Sequence, residues 1–238
     1  MNFTYWENYE TMSQHAGSMV TSEIKNKRDL LMCTATGDSP RGLYQELARK
    51  RESNAELFKK LRIIKLDEWG CISMNHPSTC EHFLRTNLLK PLEISNENFI
   101  SFNSNPVKPE DECKRIQSEL EREGPVDLCI LGLGTNGHLG LIEPGSFVEP
   151  YCHVAKLSSD SEQHSMLDSL VIKPPFGLTL GMQNLLAARK ILLLVTGKNK
   201  SDVLKKLIKG KVSTSLPASF LWLHPRVECL VDQSAPAR

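Results

Sequence analysis

A few residues of this 238-residue chain have the types and spacing for proton chemistry. The stretch LGLGTNGHLGLIEPG (131–145) sets His138 and Glu143 in one glycine-rich loop. A carboxylate bonded to one imidazole nitrogen fixes its tautomer and raises its basicity, which leaves the other nitrogen for a substrate. Asp67 follows the apolar run LRIIKL (61–66), and by itself reads as a helix or turn cap. Its neighbour Glu68 reads as structural. TGDSP (36–40) carries Thr36, Gly37, Asp38 and Ser39 between an apolar run and a helix start. Hydroxyls and free backbone N–H groups there suit an anion. Lys200, in TGKNK, adds a point charge. Taken alone, TGDSP reads more simply as a capped turn, and Lys200 as a solvated lysine.

Gly132, Gly134 and Gly137 also spell G-x-G-x-x-G, the pattern of a dinucleotide turn. That turn needs a helix to begin at the glycines, because the helix N-terminus holds the pyrophosphate. Here HLGLIEPG follows, and Gly140, Pro144 and Gly145 interrupt any helix. The acidic residue expected about twenty positions on is missing. The glycines are instead expected to admit a ligand close to backbone and to leave His138 and Glu143 at the lip of a sheet. No cofactor and no metal is expected.

Strands must end where these residues begin. Strands are predicted at 29–35, 61–66, 98–103, 126–134, 190–197 and 227–232, with 152–157 as a further candidate. Tyr5, Tyr9, Met12, Ala16, Met19, Val20 and Ile24 are three or four apart and predict a helix over 5–27. Further helices are predicted at 41–52, 79–92, 109–123 and 198–210. Ser39 is the expected N-cap of the second helix and Pro40 its first residue. Residues 233–238 read as a loose tail. Several strands are apolar without alternation, as strands covered on both faces should be. The expected fold is therefore α/β, a three-layer Rossmann-like, mostly parallel sheet with helices on both faces. One domain is expected to span residues 1–238. Ligands of such sheets bind beyond the carboxyl ends of the strands, where TGDSP, DEWG, GLGTNGH and TGKNK all fall.

Lysine and arginine number 29 against 28 acidic residues, so nothing suggests nucleic acid or a membrane surface as partner. A small anionic molecule must then be held by a local site. The start of the chain lacks the pattern of a signal peptide, and no apolar run is long enough to span a bilayer. The seven cysteines are odd in number and show no C-x-x-C spacing, which points to reduced thiols in a cytoplasmic protein.

The motifs resemble those of the glucosamine-6-phosphate deaminase family, in order and over nearly the whole chain. ATGDSP is similar to its phosphate loop P-T-G-G-T-P, LDEW to M-D-E-Y, and GLGTNGHLGLIEPG to G-x-G-x-D-G-H-I-A-F-N-E-P. LTLGMQNLLAARKILLLVTGKNK and LPASFLWLHPRVECLVD resemble its later segments. The asparagine before Gly-His, together with L-G-L-x-E-P-G and V-S-T-x-x-P-A-S-F-L-W-L-H, is most similar to the galactosamine-6-phosphate deaminase/isomerase branch.

The resemblance implies conversion of a 2-amino-2-deoxy-hexose 6-phosphate into a ketose 6-phosphate and ammonia, without a cofactor. In the galactosamine branch the product is tagatose 6-phosphate; the alternative is glucosamine 6-phosphate giving fructose 6-phosphate. It implies that Thr36, Gly37, Ser39 and Lys200 hold the phosphate. Asp67 would move a proton from carbon 2 to carbon 1, and His138, oriented by Glu143, would open the sugar ring. Asn136 stands where the deaminase proper has aspartate, so that partner is neutral here. Asp38 stands where the family has glycine, and a carboxylate beside a phosphate is repulsive; a role as cap or as a contact to a sugar hydroxyl stays open. The family's phosphate arginine falls in the region matching SSDSEQHSML, which has none, and whether His164 or another basic group replaces it is open. A homo-oligomer is also left open. A 6-phosphogluconolactonase is a rival, but it would show D-E-R and G-H-T-A-S-L-F-P where this chain has DEWG and GHLGLIEPG. A non-catalytic sugar-phosphate sensor fits poorly with Asp67, His138 and Glu143 all being present.

Overall fold

Apolar runs without alternation should be covered on both faces, and they are. The computed structural model describes residues 1–235. The chain begins with β1 (Asn2–Trp6), α1 (Tyr9–Asn26), β2 (Leu31–Thr34), α2 (Asp38–Ser53), β3 (Arg62–Lys65) and β4 (Asp67–Trp69). Next come α3 (Cys80–Leu84), a π-turn over Arg85–Leu89, α4 (Lys90–Leu92), β5 (Phe99–Ile100), α5 (Pro109–Glu123) and β6 (Leu128–Gly132). The remainder is β7 (His153–Ala155), α6 (Ser159–Glu162), β8 (Gly177–Thr179), α7 (Met182–Leu186), β9 (Lys190–Val195), α8 (Ser201–Ile208) and β10 (Val227–Asp232).

Seven strands form one parallel sheet in the order β1-β10-β9-β6-β2-β3-β5. Each strand feeds two cores. Along β9, Leu192 and Leu194 pack with Met12, Val20 and Leu43 of α1 and α2. Ile191, Leu193 and Val195 face the other way, toward Ile116 of α5, Leu185 of α7 and Leu204 of α8. From β2 the chain steps outward to β3 and β5; from β6 it steps the opposite way to β9 and β10. The order reverses between β2 and β6, and a crevice opens at such a switch point beyond the strand ends. The 36–39 turn and the 133–145 loop both start there.

A second sheet, antiparallel and ordered β4-β8-β7, lies against the first. Of these strands the sequence reading had only 152–157 as a candidate. Leu66 joins the two sheets: its N–H donates to Thr34 O and its carbonyl accepts from Leu180 N–H. Asp67, the next residue, therefore sits at the seam, paired in register with Thr179.

The predicted helix over 5–27 is two elements. Residues 2–6 form an edge strand along β10, because its open hydrogen-bonding edge takes up the NFTYW run. Asn8 then caps α1, accepting from Thr11 N–H at 2.9 Å. Ser39 is not the cap of α2. Gly37 occupies that place with φ 98°, and the helix begins at Asp38, ahead of Pro40. The predicted third strand shrinks to Phe99–Ile100, and Lys198–Lys200 is a 3-10 turn ahead of α8. Of the tail expected to be loose, Gln233 N–H donates to Trp6 O, Ser234 Oγ donates to Asp232, and Ala235 is buried. Residues 236–238 lie outside the described residues. No described helix is long and apolar enough to cross a membrane.

Candidate active site

The opening turn is built by its glycine. At φ 98°, Gly37 adopts a conformation that other residues rarely accept, and α2 begins at the next residue. The first N–H groups of that helix have no partner within it. Thr36 Oγ1 lies 3.5 Å from Cys80 Sγ, and Ser39 comes close to Gly132 at the end of β6. Asp38 is largely exposed and pairs with Arg41 at 3.2 Å, one turn along the helix. Its carboxylate is thereby engaged on the helix surface. Tyr9 fixes the turn from below: its hydroxyl donates to Asp38 O and accepts from Gly42 N–H.

Behind β6 there is no helix at the glycines. The next helix is α6, beginning at Ser159. The glycines serve the histidine. A Cβ on Gly134 would lie 2.5 Å from the His138 ring, so the imidazole occupies the space that a side chain would fill. The loop is closed by Gly134 N–H donating to His138 O at 3.1 Å. It is braced from outside by Ala218 N–H donating to Gly137 O, and by Gly145 N–H donating to Thr214 O.

His138 Nδ1 stands 3.5 Å from Glu143 Oε2, ion-pair range without hydrogen-bond alignment. Asn136 meets His138 through the backbone, not the ring: its Oδ1 accepts from His138 N–H at 3.0 Å. Its Nδ2 donates to Glu143 Oε2 at 3.1 Å. Ser161 Oγ donates to the other oxygen, Oε1. Burial alone would raise the Glu143 pKa. The imidazole, Ser161 and Asn136 outweigh burial and hold it at about 2.

Asp67 is buried, and its Oδ1 has no partner. Burial first, and the negative charge of Glu68 second, push its pKa up to about 7; His138 and Lys65 pull the other way. Glu68 is fully occupied elsewhere. Its Oε1 accepts from Trp69 and Cys80 N–H, and its Oε2 from Glu81 N–H and Lys65 Nζ, at 2.7 to 2.9 Å. Lys65 also donates to Glu81 Oε2 and Phe102 O. A carboxylate so engaged is a scaffold, whereas Asp67 keeps an unpartnered oxygen.

Lys200 is half-buried at the start of α8. Burial lowers its pKa, and Asp160 partly offsets this. The structure thus brings Asp67, His138, Glu143 and Asn136 together: His138 is near enough to lower the Asp67 pKa, and Glu143 stands beside the imidazole and accepts from Asn136. Asp38 alone turns outward. The sequence reading missed Ser158 and Ser161, which anchor Glu143, and the Lys65–Glu81 pair; nothing in their spacing links them to the site.

The chain belongs to the glucosamine-6-phosphate isomerase/6-phosphogluconolactonase family, whose model matches residues 7–231. It is 41% identical over 226 residues to the "Putative deaminase AgaI" of Escherichia coli (strain K12), covering 95% of this chain and 90% of that protein. It is 34% identical over 230 residues to a glucosamine-6-phosphate deaminase of Thermoanaerobacter pseudethanolicus (strain ATCC 33223 / 39E), covering 96% and 91%. A solved monomeric glucosamine-6-phosphate deaminase has the same fold at a TM-score of 0.93 and 31% identity, covering 99% and 98% of the two chains. The 6-phosphogluconolactonase of Trypanosoma brucei shares the fold at a TM-score of 0.77 and 20% identity, covering 98% and 97%. The protein is an enzyme of this isomerase/deaminase family.

Two outcomes follow from the geometry. Gly134→Ala forces the imidazole aside and should lower kcat/KM by about 10²-fold, the scale of a misplaced catalytic group. Urea unfolding should show some loss of stability as well, since the new methyl meets the whole imidazole from Cγ outward. Glu68→Gln removes the charge that raises Asp67. The acid limb of kcat/KM, expected at about pH 7 in the wild type, should then move to lower pH in a pH–rate profile.

Proposed function

We propose that the enzyme is a galactosamine-6-phosphate deaminase/isomerase, producing tagatose 6-phosphate and ammonia. The observation that carries the chemistry is Asp67: a buried carboxylate with an unpartnered oxygen and a pKa near neutrality, beside a histidine backed by Glu143. Such a carboxylate can take a proton at pH 7 and keep it long enough to give it back.

In this reading the Thr36–Ser39 turn and Lys200 hold the 6-phosphate. His138 moves a proton from the anomeric hydroxyl to the ring oxygen and so opens the ring, while Glu143 keeps its imidazole in place. Asp67 takes the proton from carbon 2, the freed electron pair forms a double bond between carbons 1 and 2, and the aldehyde oxygen takes up a proton from water, which gives an enolamine. The same carboxyl returns the proton to carbon 1, which leaves a ketimine at carbon 2. Water adds to that carbon and ammonia departs. One carboxylate serves both carbons because they are adjacent.

The galacto substrate rests on the LGLIEPG and VSTSLPASFLWLH segments. The relative at 41% identity is named as a deaminase without a substrate, and so fits either reading. Glucosamine 6-phosphate giving fructose 6-phosphate is the second reading, favoured by the 0.93 TM-score with a deaminase of that specificity.

Parallel kinetics on the two amino-sugar phosphates, read by ammonia release, test the substrate. A higher kcat/KM is expected for galactosamine 6-phosphate; a preference for the gluco epimer selects the second reading. Asp67→Asn keeps the shape and cannot take the proton. It should lower kcat by about 10²-fold or more, with substrate binding retained in calorimetry.

A further inference from the structure

We infer that Asp232 and Ser234 form a latch that positions Lys200 for the phosphate. The inference rests on the reading of Lys200 as a phosphate contact. β9 ends at Val195, and Thr196 and Gly197 lead into the 3-10 turn Lys198–Lys200. β10 runs parallel to β9, with Val231 beside Val195, and ends at Asp232. The two strand ends therefore lie side by side, and Asp232 is fully buried there.

A chain of hydrogen bonds leads from the buried carboxylate to the lysine. Asp232 Oδ1 accepts from Ser234 N–H at 2.7 Å and from Ser234 Oγ. Its Oδ2 accepts from Thr196 Oγ1. Ser234 Oγ, so aimed, accepts from Gly197 N–H at 2.9 Å. Gly197 O accepts from Lys200 N–H at 3.0 Å, which closes the turn. The turn is tight: Gly197 has φ 97°, and a Cβ there would lie 2.8 Å from Asn199 Oδ1. A buried carboxylate is costly unless its oxygens are used, and both are used here to hold the residues ahead of the turn. Thr196 is held directly and Gly197 through Ser234.

Lys200 needs such a hold. An ammonium on a flexible four-carbon stem presents a charge at a fixed point only where the backbone beneath it is fixed. Burial lowers the Lys200 pKa, and Asp160, which accepts from Thr135 of the 133–145 loop, partly offsets this. Burial, His138 and Lys200 together lower the pKa of the His164 ring, whose Nε2 would lie 3.8 Å from a Cβ built on Gly37. The lysine and the 36–39 turn thus share a neighbour. A rotation of the 3-10 turn would carry the ammonium away from it, and the latch opposes that rotation.

Inorganic phosphate, titrated calorimetrically into the wild type and variants, tests this in a double-mutant cycle with Lys200→Ala. Ser234 is exposed, so Ser234→Ala removes the acceptor for Gly197 N–H without opening the core. It should weaken phosphate about fivefold, the scale of one lost hydrogen bond, and raise KM by a similar factor with a smaller change in kcat. Ser234→Thr keeps the hydroxyl and should bind as the wild type does. Asp232→Asn keeps the shape but offers one acceptor oxygen in place of two, and should change phosphate affinity in the same direction as Ser234→Ala. In the Lys200→Ala background, Ser234→Ala should weaken phosphate no further, which a general loss of structure would not reproduce. Unchanged phosphate affinity in Ser234→Ala would overturn the inference, as would equal losses with and without Lys200. Wild-type affinity in Lys200→Ala would overturn it together with the phosphate reading of that lysine. If no amino-sugar phosphate is deaminated but the cycle still couples Ser234 to Lys200, the proposed function fails and the latch stands.

Discussion

The crevice depends on an ion pair that water never reaches. Lys65 and Glu68 are fully buried and stand 2.7 Å apart. Removing two charges from water is costly, and the cost is met only when every remaining donor and acceptor is used. Here they are: Lys65 reaches two carboxylates and a carbonyl, while Glu68 receives three backbone N–H groups besides the ammonium. These bonds fasten the end of β3 to β4 and to the first turn of α3. Losing one partner of such a pair typically costs about 3–5 kcal/mol, because the other is left buried and uncompensated. The pair also surrounds Asp67 with fixed charge. Asp67 lies at the seam between the two sheets, and this network fastens the elements on either side of it.

Most of the fold was legible because the parallel strands are written as plain apolar runs. Residues 109–123 and 227–232 form a helix and a strand at the bounds read from the sequence. The misreadings share one cause, tertiary pairing that local pattern does not encode. Tyr5 shares the spacing of the helix after it, yet a free edge on β10 draws residues 2–6 into the sheet. Leu66 belongs to two sheets at once, and a one-residue switch leaves no mark in periodicity. The antiparallel sheet is made of three-residue strands, too short for alternation to declare itself.

The site divides in the same way. Asp67, His138 and Glu143 could be read from the sequence because each falls just beyond an apolar run in a recognisable motif. What holds them could not. Ser161 reaches Glu143 across eighteen positions, and Glu81 reaches Lys65 across sixteen. The G-x-G-x-x-G pattern misleads for a related reason. Glycine reports only that something comes close to the backbone, and at Gly134 that neighbour is the imidazole of the same loop.

Asn136 uses both ends of its amide, the oxygen on a backbone N–H and the nitrogen on the Glu143 carboxylate. An aspartate there could accept but not donate, and it would set two negative charges against each other. The amide makes the loop's framework indifferent to acidity. Glu143 stays ionised down to about pH 2, and its clamp has no proton to gain or lose. Changes of acidity in the physiological range therefore leave the shape of the loop alone and fall on the groups that handle protons.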